Sequence, residues 1–473
     1  MSSSPAPSVG PGGGPRFLVV GCGGIGGIVA AHLFEQGHDV VALTKNPIIA
    51  DAINANGFVV RGDSAPGQVR GHAVTSLPRG GAKFDFVLLC TQPPQVEDAA
   101  RNAIAFLSNE GVMVCFQNGL CEERVAKIAG ADRTIGAIVA WGASMVDPGV
   151  YDRTSGGGFA IGKLDGSADP RLDVLARALE AVGPVAMTAN LRGARWSKLA
   201  INCAISSLGT LGGDRLGVLM RSRHVRRLAL EIMTEVVLVA RAYAIKLEKV
   251  SGTLDLDWIA LTPTERVATG SAGLVAKHAL LLAVGARYRR LRSSMLAAIE
   301  RGRAPAVDFL NGEVSSRGQD VGIATPINTA IREEILAIAA GRSKSSHVSL
   351  RAFFERTRKL TNAPVSVEPE ATVEAQPLPS ELGVAILDAP VAEPPASAPA
   401  LRFPPLSAPP PGPKIEAAPD EGSLVAVAPL GASTVEAAPL ASSLEPVGAG
   451  PGAGAPSVAA LAAAPSPPEK EPG

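Results

Sequence analysis

A chain of 473 residues has room for two or three domains. Its 44 Lys and Arg balance its 44 Asp and Glu, and a formal net charge of zero argues against a global electrostatic attraction to nucleic acid or to an anionic membrane. Five cysteines (Cys22, Cys90, Cys115, Cys121 and Cys203), odd in number and without zinc or C-x-x-C spacing, read as buried reduced thiols of a cytoplasmic protein and offer no metal site.

Met1 to Pro15 is Ser, Pro and Gly without an apolar segment, which does not read as a secretory signal. No apolar run approaches membrane-spanning length; Leu274 to Val284 comes nearest, and Lys277 and His278 interrupt it. The organised chain starts with Phe17-Leu18-Val19-Val20, an apolar run that reads as a buried parallel strand. Gly21-Cys22-Gly23-Gly24-Ile25-Gly26 follows and matches G-x-G-x-x-G. A helical pattern runs to Gln36, Gly37 stops it, and Val40 to Leu43 reads as a second strand. In this β-α-β setting Gly21 permits the tight turn, Gly23 lets the backbone approach a pyrophosphate, and Gly26 lets helix and strand pack closely. The exposed N–H groups at the helix start hold phosphate. A tight strand–helix turn without a ligand is the alternative.

The end of the second strand bears on the cofactor. NAD-binding versions usually place an acid there to accept from the ribose hydroxyls. Here the strand ends Leu43-Thr44-Lys45-Asn46, with no acid. Lys45 supplies a cation, and Thr44 and Asn46 supply donors, which suits a 2′-phosphate and favours NADPH; an ordinary solvated loop lysine is the other reading of Lys45.

The α/β pattern continues with a short helix from Pro47 to Asn56 and strands at Phe58–Arg61 and Gln68–Thr75, read as a hairpin-like excursion. Phe84 to Cys90 is a buried strand, Val96 to Leu107 a helix, and Val112 to Phe116 the next strand, ending at Gln117-Asn118-Gly119. Ligands of open α/β sheets lie beyond the carboxyl ends of strands, so Gln92 and Asn118 face the crevice of the glycine loop. Further strands are expected at 134–140 and up to Ile161, a helix from Asp169-Pro170 to Val182, and a last short strand at Val185–Met187.

From Leu191 strand patterns vanish. Helices are expected over Ala194–Leu208, Val225–Ala244, Ala272–Glu300, Val307–Arg317 and Ile327–Ala340. Two basic clusters, Arg221–Arg227 and Arg287–Arg292, lie in these patterns as solvated faces or phosphate contacts. From about Pro364 the chain is Pro, Ala, Ser, Glu and Val without period, and cannot bury enough apolar surface to offset its chain entropy. The expected fold class is therefore α/β: a disordered N-terminus (1–15), a Rossmann-type dinucleotide-binding domain (16–188), an all-helical substrate and catalytic domain (189–360), and a disordered Pro/Ala-rich tail (361–473) whose partner is unknown.

Lys198, Asn202 and Ser206 are four residues apart and share a helix face whose intervening residues are apolar. Partial burial would lower the pKa of Lys198, letting it hydrogen-bond a substrate carbonyl and donate a proton as hydride arrives. A snorkelling lysine covering a domain junction is the alternative.

Gly21–Gly26, Gln117-Asn118-Gly119, Trp196 to Asn202, Ser293-Ser294-Met295-Leu296 and Val307 to Gly312 together resemble the ketopantoate reductases (2-dehydropantoate 2-reductases), from about Arg16 to Ala340. The resemblance implies NADPH-dependent reduction of a 2-oxoacid to a 2-hydroxy acid, in this family ketopantoate to D-pantoate. By position it implies Lys198 as the catalytic lysine, Asn118 at the cofactor–substrate boundary, Asn202 as a substrate-binding asparagine, and Ser294 on the substrate carboxylate. Asp308 and Asn311 read as local hydrogen bonding and helix capping. Three positions depart from the family: its second helix asparagine is Ser206, a lysine after the fourth major strand is Gln92, and a glutamate that contacts the substrate hydroxyl is Ala306. A related reductase of another ketoacid or imine, and a catalytically weakened NADP-binding regulator, are the rival readings. The expected partner is a small 2-oxoacid, with no nucleic acid and no membrane, and a homodimer is left open.

Overall fold

The computed structural model describes residues 14–62, 65–78, 80–249, 254–268 and 270–361. Most of the expected N-terminal arm and nearly all of the expected tail lie outside them. Among the described residues the first half is built on twelve strands: β1 (Arg16–Val20), β2 (Asp39–Leu43), β3 (Phe58–Gly62), β4 (Gly67–Val69), β5 (Ala73–Val74), β6 (Phe84–Leu89), β7 (Leu107–Cys115), β8 (Thr134–Val139), β9 (Ala143–Asp147), β10 (Val150–Arg153), β11 (Phe159–Lys163) and β12 (Val185–Met187). Eight of them form one sheet in the order β12-β11-β8-β7-β6-β1-β2-β5, parallel except where β11 runs against β8. The helices of this half are α1 (Gly24–Glu35), α2 (Pro47–Asn56), α3 (Val96–Ala103), α4 (Cys121–Ala129) and α5 (Pro170–Glu180). β6 and β8 are buried along their whole length, which explains their largely apolar character; the exception in β6, Asp85, accepts from the Ser108 hydroxyl (3.1 Å) and the Arg16 amide (3.0 Å).

The expected hairpin needs correction. β3 and β4 do pair antiparallel, but β3 also pairs parallel with β10, giving a separate sheet β4-β3-β10-β9. The run Gln68–Thr75 is split: its first part stays in the small sheet, and β5 crosses to the edge of the large one beside β2. Two short strands divided by a turn serve two different edges. The small sheet packs over the glycine-loop helix, where the Tyr151 hydroxyl donates to the Cys22 carbonyl (3.1 Å).

Beyond β12 every described element is helical: α6 (Leu191–Gly212), α7 (Leu216–Leu219), α8 (Arg223–Ala242), α9 (Leu256–Ile259), α10 (Pro263–Val267), α11 (Ala272–Arg287), α12 (Ser294–Glu300), α13 (Asn311–Asp320), α14 (Pro326–Ala339) and α15 (His347–Thr361). The single helix expected over Ala272–Glu300 is two. α11 ends at Arg287, and α12 restarts at a new cap, where the Ser293 hydroxyl accepts from the Leu296 amide (3.2 Å). One apolar cluster built on α6 and α8 holds this half together, with Trp196, Leu199, Cys203, Leu230, Ile232 and Val236 at its centre. No helix among the described residues is long and apolar enough to cross a membrane.

Candidate functional site

The glycine loop has the stereochemistry a dinucleotide cradle needs. Gly21 adopts φ +103°, and a side chain there would press on the backbone of Cys90 and Thr91 at the end of β6. A Cβ at Gly26 would collide with the Gly21 carbonyl, so helix and strand meet at a distance only glycine allows. A Cβ at Gly23 meets nothing within 4 Å. The space over this backbone is open, as a pyrophosphate requires. Gly24 starts α1 and Cys22 is buried beside it, its thiol pushed up to about 12 by burial and so inert as a nucleophile. Ile25 packs on the core of the large sheet.

At the end of β2, Thr44 is buried and its hydroxyl accepts from the Asn46 amide (3.3 Å). Asn46 is occupied as the cap of α2, accepting from the Ile48 amide (3.0 Å). Lys45 projects to solvent between them. Gln92 is exposed just past β6, and Asn118 is exposed just past β7. The same carboxyl edge of the sheet therefore carries the glycine loop, Lys45, Gln92 and Asn118. Gln117 ties this edge together, donating to the carbonyls of Leu89 (2.8 Å) and Thr91 (3.2 Å).

α6 docks its first turns onto that edge. Arg195, buried, donates to the carbonyls of Gln117 (2.8 Å), Cys115 (2.9 Å) and Ala137 (3.3 Å), and pairs with buried Glu122 of α4. One turn on, the partly buried Lys198 donates to the Val139 carbonyl at the end of β8 (2.7 Å). Burial, and then the Arg195 charge, lower the Lys198 ammonium to about 7; Glu122 opposes them. A lysine titrating there holds or releases a proton near neutral pH.

Asn202 lies one further turn along, and its amide nitrogen is buried without a hydrogen-bond partner among the described residues. Such a donor suits an oxygen of a bound substrate. Ser206 follows, partly buried, and its carbonyl accepts from the Ser293 hydroxyl (2.8 Å). Ser293 also meets Thr210 (2.9 Å), so the start of α12 is fastened to α6 and Ser294 is exposed beside it. The structure thus sets Lys198, Asn202 and Ser206 along one face of α6, with the start of α12 fastened at its far end.

The segment around Ala306 closes the other side. It forms a short turn, Ala306–Phe309, whose Phe309 carbonyl sits 2.5 Å from where a Cβ on Gly119 would stand. Only glycine lets the 117–119 loop and this turn approach so closely. Asp308 accepts from Arg332 (2.5 Å) of α14, 24 residues along the chain, so its contact is between elements and not the local one expected. Asn311 does not cap a helix: it is fully buried, accepts from Ser207 (2.6 Å) and donates to Asn328 (2.9 Å). Asn328 in turn donates to Glu235 (2.7 Å). This chain locks α13, α14 and α8 to the helix that carries Lys198.

Arg195, Glu122 and Ser293 were not assigned roles from sequence. Each stands among other charged or polar residues, Glu122 beside Glu123 and Arg124 and Ser293 after an arginine-rich run, so no local pattern sets it apart. Among the described residues no cluster of three or more His, Cys, Asp or Glu could hold a metal ion.

A family model described as "Ketopantoate reductase PanE/ApbA" matches residues 17–166, and its C-terminal companion matches 190–339. Together they span more than half of the chain. The chain is similar to the 2-dehydropantoate 2-reductase of Pyrococcus horikoshii, 26% identical over 315 residues, covering 66% of this chain and 94% of the relative. The Vibrio cholerae 2-dehydropantoate 2-reductase is 25% identical, covering 70% and 100%. Among solved structures, a PanE/ApbA family ketopantoate reductase from Ralstonia eutropha JMP134 is similar in fold, with a TM-score of 0.57 at 24% identity, covering 69% of this chain and 99% of that one. A D-mandelate dehydrogenase solved with NADH and anilino(oxo)acetate has a TM-score of 0.59 at 16% identity, covering 70% and 99%.

Proposed function

Since the chain belongs to the ketopantoate reductase family and is an oxidoreductase of that kind, we propose that it uses NADPH to reduce a 2-oxoacid, 2-dehydropantoate, to the 2-hydroxy acid D-pantoate. The observation that carries this reading is Lys198: a partly buried lysine lowered to about 7 at the carboxyl edge of a dinucleotide-binding sheet.

The residues of the crevice fit a nicotinamide dinucleotide. Gly21, Cys22, Gly23, Gly24, Ile25 and Gly26 give an open backbone cradle for the pyrophosphate, while Gln92 and Asn118 stand on the same edge. Exposed Lys45, with Thr44 beneath it and no acid on β2's end, supports the 2′-phosphate form. When bound, the reduced nicotinamide supplies a hydride to the keto carbon.

The protein's own part is the proton and the pose. Lys198 polarises the keto oxygen by hydrogen bonding and passes it a proton, so the C=O π bond is replaced by a new C–H bond and a new O–H bond while the C–O single bond stays. Val139 holds one ammonium proton and so fixes the direction of the others. Asn202 offers its unpartnered amide to the substrate, Ser206 and Ser294 line its path, and Asn118 stands between substrate and cofactor. The family's substrate-contacting glutamate is replaced by Ala306, so the substrate's distal hydroxyl finds no carboxylate at that position.

The test is NADPH oxidation against a panel of 2-oxoacids that includes 2-dehydropantoate, repeated with NADH. The proposal expects 2-dehydropantoate to have the highest kcat/KM and NADPH to be preferred. A different best ketoacid overturns the substrate assignment. Tight NADPH binding without turnover of any ketoacid or imine overturns the catalytic one.

A further inference from the structure

The helical half contains a cavity of about 310 Å³ that shares no lining residue with the crevice at Lys198. It lies where the start of α8 meets α10, α11 and α15. Its walls carry Arg223, Arg227, Arg266, Arg351 and Arg358 against one acid, Glu231. Glu231 accepts from the Arg227 Nε (2.8 Å) on one oxygen; its other oxygen, 3.8 Å from Arg266, has no hydrogen-bond partner among the described residues. The first turn of α8 supplies two of the lining residues, Arg223 and His224, so the positive end of a 20-residue helix adds to the same potential. A concave site so charged, with low-dielectric walls, attracts an anion.

The floor is different. Leu228, Leu274, Ile327 and Phe354 give an apolar surface. Set into it is His278, 8% exposed, whose Nδ1 has no hydrogen-bond partner among the described residues. Burial, and then Arg226, Arg223 and Arg227, lower His278 to about 4, so it is neutral at pH 7 and Nδ1 can serve as donor or acceptor according to tautomer. A buried ring nitrogen left unpaired is costly, and one lining a cavity calls for a ligand atom.

Two of the arginines can serve a ligand at little loss. Arg351 is held by an exposed pair with Glu355, one turn away on the same helix, and among the described residues Arg266 makes a long contact to Glu231. Arg351, Phe354, Thr357 and Arg358 all come from α15, which begins after the family-matched residues end at 339. A wall of the cavity is thus added by a helix beyond that common region.

We propose that this cavity binds a small organic anion with an apolar body: a carboxylate or phosphate head at the arginine rim, and an aliphatic or aromatic body on Leu228, Leu274 and Phe354. The volume matches a small molecule and falls at the low end of ligand pockets.

An acidic segment of the chain is the other occupant to be tested. The sequence after Thr361 has 13 acidic and 3 basic residues, among them Glu368, Glu370 and Glu374 just past α15. The experiment separates the two. Octyl phosphate and inorganic phosphate are titrated calorimetrically into the full chain with saturating NADPH, which fills the cofactor part of the crevice, and with a 2-oxoacid analogue that cannot be reduced, which fills the rest. The proposal expects one saturable site for octyl phosphate, at least tenfold tighter than for inorganic phosphate. Arg266→Ala/Arg351→Ala should weaken it at least tenfold, and His278→Phe should weaken it as well, with kcat for the ketoacid unchanged. No saturable binding to the unmodified chain, or equal binding to the double variant, overturns the proposal. So does more than tenfold tighter binding in the full chain carrying Glu368→Gln/Glu370→Gln/Glu374→Gln, because the chain's own acidic segment would then be the occupant.

Discussion

The Lys198 ammonium donates to the Val139 carbonyl at 2.7 Å. This contact joins the first long helix of the helical half to the carboxyl end of a strand in the dinucleotide-binding sheet. It puts a titratable proton where the sheet's ligand edge faces that helix. Most of the account follows from it.

The first prediction concerns pH. Burial and Arg195 hold Lys198 near 7. A general acid must carry its proton, so kcat/KM should be level below pH 7 and fall about tenfold per unit above it. A bound carboxylate substrate favours the charged lysine, which raises its pKa. The alkaline limb of kcat should therefore lie at higher pH than that of kcat/KM. Profiles of both from pH 5.5 to 9.5 check this, and a kcat/KM that rises through pH 7 would contradict it.

The second concerns Arg195. It satisfies three strand carbonyls and neutralises buried Glu122. Arg195→Met leaves a buried carboxylate without its counter-charge, which should cost about 3–5 kcal/mol of stability. Replacing both partners, Arg195→Met with Glu122→Leu, should recover a large part of that loss. Urea unfolding of the single and double variants measures both, and a double variant no more stable than the single would refute the pairing argument.

How much of this was legible in the sequence depended on range. The β-α-β unit at Phe17 to Leu43 announces itself, because its apolar runs and glycines follow one another directly. The α6 face with Lys198, Asn202 and Ser206 was equally plain from spacing. The small second sheet was not, since its core pairing joins Val59 to Val150 across ninety residues of chain with no local signal. The break between α11 and α12 was hidden by an arginine-rich stretch that suits a helix; only the Ser293 cap, fastened to α6, ends the pattern. Asn311 looked like a cap because asparagine often is one, and its burial among Ser207, Asn328 and Cys203 is decided by three helices meeting.

The third prediction concerns the cofactor. Lys45→Ala should narrow the affinity gap between NADPH and NADH by removing one charge-assisted contact, on the order of 1–3 kcal/mol. Calorimetric titration with each cofactor decides it. Equal affinities in the unmodified protein would remove the basis for choosing NADPH.

The fourth concerns Ala306, at the turn that closes on the Gly119 loop. If the substrate is 2-dehydropantoate, Ala306→Glu supplies a carboxylate for its hydroxyl and should lower KM or raise kcat. If the true substrate lacks that hydroxyl, the new carboxylate is unmatched and should impair the native reaction. Steady-state kinetics on 2-dehydropantoate and on the best panel substrate distinguish the two.

The most direct test of the central claim is the single-turnover and steady-state rate of Lys198→Ala beside its NADPH affinity. A positioned general acid contributes about 10²–10⁴-fold. The account predicts a fall in kcat within that range, with NADPH binding retained because the glycine loop belongs to the other half of the fold. A near-normal kcat in Lys198→Ala would contradict it, whatever the substrate proves to be.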